Sequence, residues 1–180
     1  MLRIVLIFGL VVGLLNIVPM SFTVLNLHLG HGNLALLVGY LTLFLACAVI
    51  FVGVKRYRDE ALGGVIRFGP ALLLGLGITV TASIVYVIGW EIALAATHYS
   101  FIEGYGATAL ETARARGASP ARLARIAADA QAFRTQYANP LYRLPMTFIE
   151  VFPVGVLVSL VSAAVLRNSR ILPARAPLAA

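Results

Sequence analysis

The sequence predicts an all-α polytopic membrane protein: four transmembrane helices, with an extramembrane helical hairpin between the third and the fourth. Three observations carry this reading. Of the 180 residues, 61% are hydrophobic and 12% charged, too few charges to cover a soluble domain of this size. Several uninterrupted apolar runs reach the roughly 20 residues needed to cross a bilayer. The basic residues flank those runs, the pattern that sets orientation in a membrane. The net charge of +7 is therefore not read as a nucleic-acid surface, and no nucleic acid is expected as a partner.

The first span covers about residues 2–25. Its start, MLRIVLIFGLVVGLL, has the single arginine and apolar core of a secretory signal. No small-x-small cleavage site follows promptly and the apolar run continues past Pro19, so it reads as a retained span. In the turn NLHLGHGN, His28 and His31 read as loop histidines and not as metal ligands; His98 is distant from both. The second span, about residues 34–54, stops at KRYRDE. The single cysteine, Cys47, lies within it, so no intramolecular disulfide can form. The third span, about residues 70–97, opens with Pro70 in its first turn. The fourth, about residues 145–166, stops at RNSR, and the proline-containing tail 168–180 is expected to be irregular. The whole chain, 1–180, is read as one membrane domain.

The hairpin is expected over about residues 105–138. Its first arm ends at Gly117, a helix stop, and its second opens on Ser119 as N-cap and Pro120 in the first turn. In the second arm Leu123, Ile126, Ala127, Ala130, Phe133 and Tyr137 recur at helical spacing. That stripe is expected to dock on the end of the bundle or on the bilayer surface, or to receive a partner. Orientation follows from the basic residues. With the N-terminus inside, eight of fourteen lie inside, from Arg3 through the Lys55–Arg58 cluster to Arg175, and six arginines from Arg114 to Arg143 lie outside. Most of those six are far from span ends, where the bias has less weight. The expected layout is therefore both termini inside and the hairpin outside. Small residues four apart (Gly9 and Gly13; Gly75, Thr79 and Ser83; Gly155, Ser159 and Ala163) favour a compact bundle, with a homodimer as a further possibility.

Two carboxylates interrupt the apolar runs. Glu91 and Glu150 are placed at one depth on successive antiparallel spans, roughly 8–9 Å below the outer boundary at about 1.5 Å per residue. Asn16, Ser21, Tyr40, Tyr86 and Trp90 share that outer half, with Asn139 and Arg143 just above. The expected binding site is thus a buried polar layer of Glu91, Glu150, Trp90, Tyr86, Tyr40, Asn16, Asn139 and Arg143. Within it three arrangements stand open: a proton-sharing carboxylate pair, one carboxylate paired with Arg143 in a headgroup-sized pocket, or separate glutamates bonded to neighbouring helices with Trp90 as an interfacial anchor. Pro19 and Pro153 break backbone hydrogen bonds near this layer. On the inner side the basic motif Lys55, Arg56, Tyr57, Arg58 and Asp59 reads as an orientation anchor or a docking site for lipid or protein.

The run from Ile50 to Glu91, then YANP, then Thr147 to Arg167, resembles a family of small bacterial four-span membrane proteins known only as a domain of unknown function. The motifs KxYRD, GG, FG, GWE, NP and ExFPVG occur in that order. The resemblance covers about Gly39 to Arg167. It implies a bacterial inner-membrane location and the four-span layout, and no activity. Three function classes are open: a carrier or binder of a lipid-like or other small molecule, an accessory or assembly subunit of a membrane complex, and an intramembrane enzyme using paired carboxylates. The enzyme ranks last, because no nucleophile–base pair, metal set or phosphate loop accompanies the carboxylates. No cofactor is expected. Beyond the lipid bilayer, the candidate partners are a lipid-like ligand, a second copy and a membrane protein.

Overall fold

A computed structural model describes residues 1–24 and 33–174. The described residues form six helices: α1 Leu2–Val24, α2 Asn33–Ala61, α3 Phe68–Ala96, α4 Ser100–Ala115, α5 Pro120–Tyr137 and α6 Pro140–Leu166. Four of them, α1, α2, α3 and α6, are long and apolar enough to cross a membrane. The chain is an all-α membrane protein. Large apolar side chains such as Leu6, Leu45, Leu73, Ile92 and Leu157 are exposed on these helices, where acyl chains would solvate them.

Close contacts fix the helix order. α3 packs most extensively on α6 and on α1, and α2 packs on α6 and α1. The bundle therefore runs α1, α3, α6, α2 around its axis. Glycine creates each main seam. A Cβ on Gly75 would lie 2.8 Å from Ser159 Cβ, and one on Gly155 would lie 2.8 Å from Thr79 Oγ1. Gly75 thus sits against Ser159, Gly155 against Thr79, and at the far end Glu91 against Arg143. The residue numbers of each pair add to the same total, the mark of an antiparallel register held along the whole seam. Gly9, Gly13 and Gly77 meet Thr81, Val85 and Val5 at one constant offset, so α1 and α3 run parallel. The small residues that favour packing are therefore used inside the chain. Thr79 and Ser159 hydroxyls bond each other at 3.1 Å and return to their own helices at Gly75 and Gly155, so no hydroxyl of this pair is stranded in hydrocarbon.

Several boundaries differ from the sequence reading. α2 does not stop at Val54 but continues through the basic motif to Ala61, stabilised by the i,i+4 pairs Lys55–Asp59 and Arg56–Glu60. The reversal comes at Gly63 and Gly64, both with positive φ. α6 begins at Pro140 and not at Pro145, because Asn139 caps it, its Oδ1 accepting from the Leu141 N–H at 3.0 Å. α4 begins at Ser100, with three residues between it and the end of α3; His98 and Tyr99, with φ of 50° and 60°, make the break. The tail positions 175–180, and the histidines at 28 and 31, lie outside the described residues.

The hairpin is α4 and α5, turned at Gly117 (φ 72°) with Ser119 capping α5. Its two arms pack on each other, and α5 touches α6 only near its end. Leu123, Ile126, Ala130 and Phe133 are half-buried and Tyr137 is buried, whereas Ala127 is exposed. A Cβ on Gly106 would lie 3.1 Å from Ala130 Cβ, so the stripe meets α4. The docking surface expected for it, bundle end or bilayer, is replaced by the hairpin's own first arm. Only its Phe133–Tyr137 end joins the bundle.

Candidate functional site

The two buried arginines, Arg143 and Arg58, lie at opposite ends of the bundle. At the hairpin end the central group is Arg143, one turn into α6 and 5% exposed. Its Nε and Nη2 each donate to a Glu91 carboxylate oxygen at 2.7 Å, and its Nη1 donates to the Tyr137 carbonyl at 3.0 Å. A two-pronged guanidinium–carboxylate pair of this length is the strong form of the interaction. The guanidinium also lies over the Tyr99 and Tyr137 rings, 5.5 and 6.0 Å from their centroids. Tyr99 comes from the α3–α4 break and Tyr137 from the end of α5, so one side chain holds both roots of the hairpin to the bundle.

A second bond closes the same junction. The Trp90 indole N–H donates to the Tyr137 hydroxyl at 2.7 Å, and both residues are buried with Leu94. Trp90 is therefore not an interfacial anchor facing lipid; its ring lies inside, and its polar edge satisfies a group from the hairpin. Burial pushes the Tyr137 phenol above the ordinary tyrosine range. The unfolded phenol ionises near pH 10, about the usual value. This group's stabilising contribution is present below that pH and is lost as pH rises through and above it. Thr147, one turn below Arg143, turns its hydroxyl to the Arg143 carbonyl at 3.0 Å.

The remaining members of the expected layer are dispersed. Glu150 does not pair with Glu91: it is exposed on α6 and accepts from the Tyr86 hydroxyl at 3.0 Å. Asn16 is buried at a similar depth, but its amide donates to its own helix at Val12 O, 2.8 Å, and lies against Cys47 on α2. Tyr40 is 68% exposed on α2 and belongs to the lipid-facing surface, not to a buried layer. Asn139 is exposed and acts as the helix cap described above. Ser21 is outside the residues whose side chains are described. A proton-sharing carboxylate pair is thus replaced by two separate arrangements, one ionic and one hydroxyl–carboxylate.

At the opposite end Arg58 is fully buried. Its Nε donates to Asp59 Oδ1 at 2.7 Å, its Nη1 to the Ile171 carbonyl at 3.0 Å, and its Nη2 to the Leu172 carbonyl. Asp59 also takes Lys55, and Tyr57 packs half-buried on the core. Arg56 alone of the basic residues in this motif is exposed, with Glu60 as its partner. The KxYRD motif therefore clamps the segment after α6 instead of serving only as a charged anchor. Arg58→Ala is expected to release residues 170–174 and cost about 2 kcal/mol, since two carbonyls and a carboxylate lose charged partners. Limited proteolysis from the C-terminal end checks this: faster trimming of the variant is expected.

For Tyr137 the stripe's expected docking on the end of the bundle holds, and what the sequence reading lacks is its polar partner, the Trp90 indole. The position of Tyr137 two residues before the Asn139–Pro140 cap, and hence level with the GWE motif, was the available signal. Tyr137→Phe is expected to cost about 1–3 kcal/mol, because it removes the hydroxyl that accepts from the buried indole N–H. Trp90 is the only tryptophan, so its fluorescence in a detergent unfolding titration measures the loss directly.

The family described as "Protein of unknown function (DUF4199)" matches residues 6–168. Neither the curated proteins nor the solved structures contain a significant match to the chain.

Proposed function

Because the chain belongs to this family of unknown function, the site must speak for itself, and we propose that the protein is an accessory subunit presenting a helical hairpin to a partner protein at one membrane surface. The observation that carries this is the junction at Arg143. Glu91, Arg143, Trp90 and Tyr137 satisfy one another, and in doing so fix the root of the hairpin. A small-molecule carrier would need some of these groups turned toward a ligand. Beyond the root, Arg114, Arg116, Arg122 and Arg125 are exposed around the hairpin turn, which suits an acidic partner surface.

In this reading the membrane is the bacterial cytoplasmic membrane, with both termini cytoplasmic and the hairpin periplasmic. The basic residues of the α2–α3 and post-α6 segments, at the end opposite the hairpin, support that orientation. A cysteine at Ala128, exposed on α5, is expected to react with an impermeant maleimide from outside intact spheroplasts. Labelling only after lysis would reverse the orientation.

The test is site-specific photocrosslinking in cells, with the reactive residue at Ala121, Arg125 or Ala128. One discrete heavier adduct is expected from these positions, weakened when Arg143→Ala loosens the root. Absence of adducts, together with a small molecule retained by the purified protein and lost from folded Glu91→Gln, would establish the carrier reading instead.

A further inference from the structure

Glu150 is a carboxylate within the apolar part of α6 that neither clamp uses. It lies seven residues beyond Arg143 on α6, about 10 Å deeper into the apolar part of the helix at about 1.5 Å per residue. It is exposed, and its neighbours along the same surface, Met146, Ile149, Pro153 and Leu157, are exposed too and apolar. The Tyr86 hydroxyl holds Oε2 at 3.0 Å, while Oε1 has no hydrogen bond among the described residues. A carboxylate facing hydrocarbon off-centre is costly, and such groups characteristically pair.

The occupant can be narrowed from the chain itself. Arg143, the cation at this end of the bundle, is already engaged by both oxygens of Glu91. The described basic residues of the other spans, from Arg3 to Lys55, Arg58 and Arg67, lie at the opposite end. A second copy would therefore bring another carboxylate to Glu150 and no cation. Lipid headgroup amines belong outward of Glu150, beyond the Arg143–Glu91 pair, so at about 1.5 Å per residue they are about 10 Å or more away.

We infer that Glu150, oriented by the Tyr86 hydroxyl, is the docking point for a partner's transmembrane helix that carries a lysine or arginine at matching depth. The ammonium or guanidinium donates to Oε1 while Tyr86 retains Oε2. Charge complementarity within hydrocarbon selects the partner. This inference rests on the accessory-subunit reading and names the partner's chemistry at a surface separate from the hairpin.

The experiment uses the full chain, donor-labelled, in phosphatidylcholine vesicles with an acceptor-labelled single-span Leu/Ala peptide. One peptide carries a lysine about seven residues from its end and a control carries leucine there. The wild-type chain is expected to bind the lysine peptide about 3- to 15-fold more tightly, the range for polar contacts between membrane helices. Glu150→Gln should bind both peptides alike, with unchanged Trp90 emission and helical content. Equal binding of the two peptides by the wild type, or discrimination that survives in Glu150→Gln, would overturn the inference. Self-association of the chain that disappears in Glu150→Gln would also overturn it, by assigning the surface to a second copy. Hairpin crosslinks in cells persist if only the Glu150 site fails, and vanish if the accessory reading itself fails.

Discussion

Arg143→Ala is expected to destabilise the protein by about 2–4 kcal/mol and to free the hairpin from the bundle. Removing one partner of a buried pair leaves the other charge uncompensated, which costs about 3–5 kcal/mol when burial is complete. The Glu91 side chain is 28% exposed, so water and headgroups recover part of that. Against this, the change also strands the Tyr137 carbonyl and removes the cation over Tyr99 and Tyr137. The loss should be local as well as global. Hydrogen exchange is expected to rise first at residues 97–101 and 134–141, the two roots of the hairpin, before the α3–α6 seam responds. Arg143→Lys should fall between the variant and the wild type, because an ammonium cannot span both Glu91 oxygens and the Tyr137 carbonyl with one planar fork. Equal exchange at the roots and in the seam would mean that Arg143 supports the whole bundle and not the junction.

Gly155→Leu is expected to abolish the folded bundle. The α3–α6 seam is set by backbone approach, and a Cβ at Gly155 already meets Thr79 Oγ1 at 2.8 Å with Cγ2 closer still. Both atoms belong to a short branched side chain fixed by bonds to Gly75 and Ser159, so Thr79 cannot swing aside cheaply. Overpacking of this kind costs about 1–3 kcal/mol for a few added methylenes and more where nothing can yield. Gly155→Ala should lie near the lower end, about 1–2 kcal/mol, and Gly155→Leu beyond 3 kcal/mol. Thr79→Gly beside Gly155→Ala should restore much of the loss. Size-exclusion profiles in detergent and Trp90 emission report the outcome; a monodisperse, native-like Gly155→Leu protein would refute the tight seam.

Membrane class and span number were legible because lipid imposes a length rule that apolar runs obey. The hairpin turn was legible because Gly117, Ser119 and Pro120 carry their own local geometry. The Arg143–Glu91 pairing is one of the three arrangements left open, but the depth arithmetic sets Glu91 level with Glu150, whereas Glu91 meets Arg143 and Glu150 lies seven residues further along α6, because α6 starts at Pro140 and not at Pro145. What composition could not supply was rotation. A span apolar all round gives no sign of which face meets lipid, so Tyr40 and Glu150 were assigned to an interior that they do not occupy. Arg58 departs from expectation for a related reason: basic residues at a span end usually serve orientation, and its burial depends on carbonyls of Ile171 and Leu172 more than a hundred positions away. Nothing local in KxYRD announces those partners.

The most direct measurement is a charge exchange at the junction. Glu91→Arg, Arg143→Glu and the double variant are compared by unfolding in detergent and by hairpin crosslinking in cells. If the pair is a structural staple, each single change should cost several kcal/mol by placing like charges together. The exchanged double variant should then recover at least about half of that loss, and the crosslink with it. The Tyr137 carbonyl keeps recovery short of complete. If the double variant folds yet the crosslink stays lost, or if the single changes leave stability and the hairpin untouched, the junction is not what holds the hairpin for its partner.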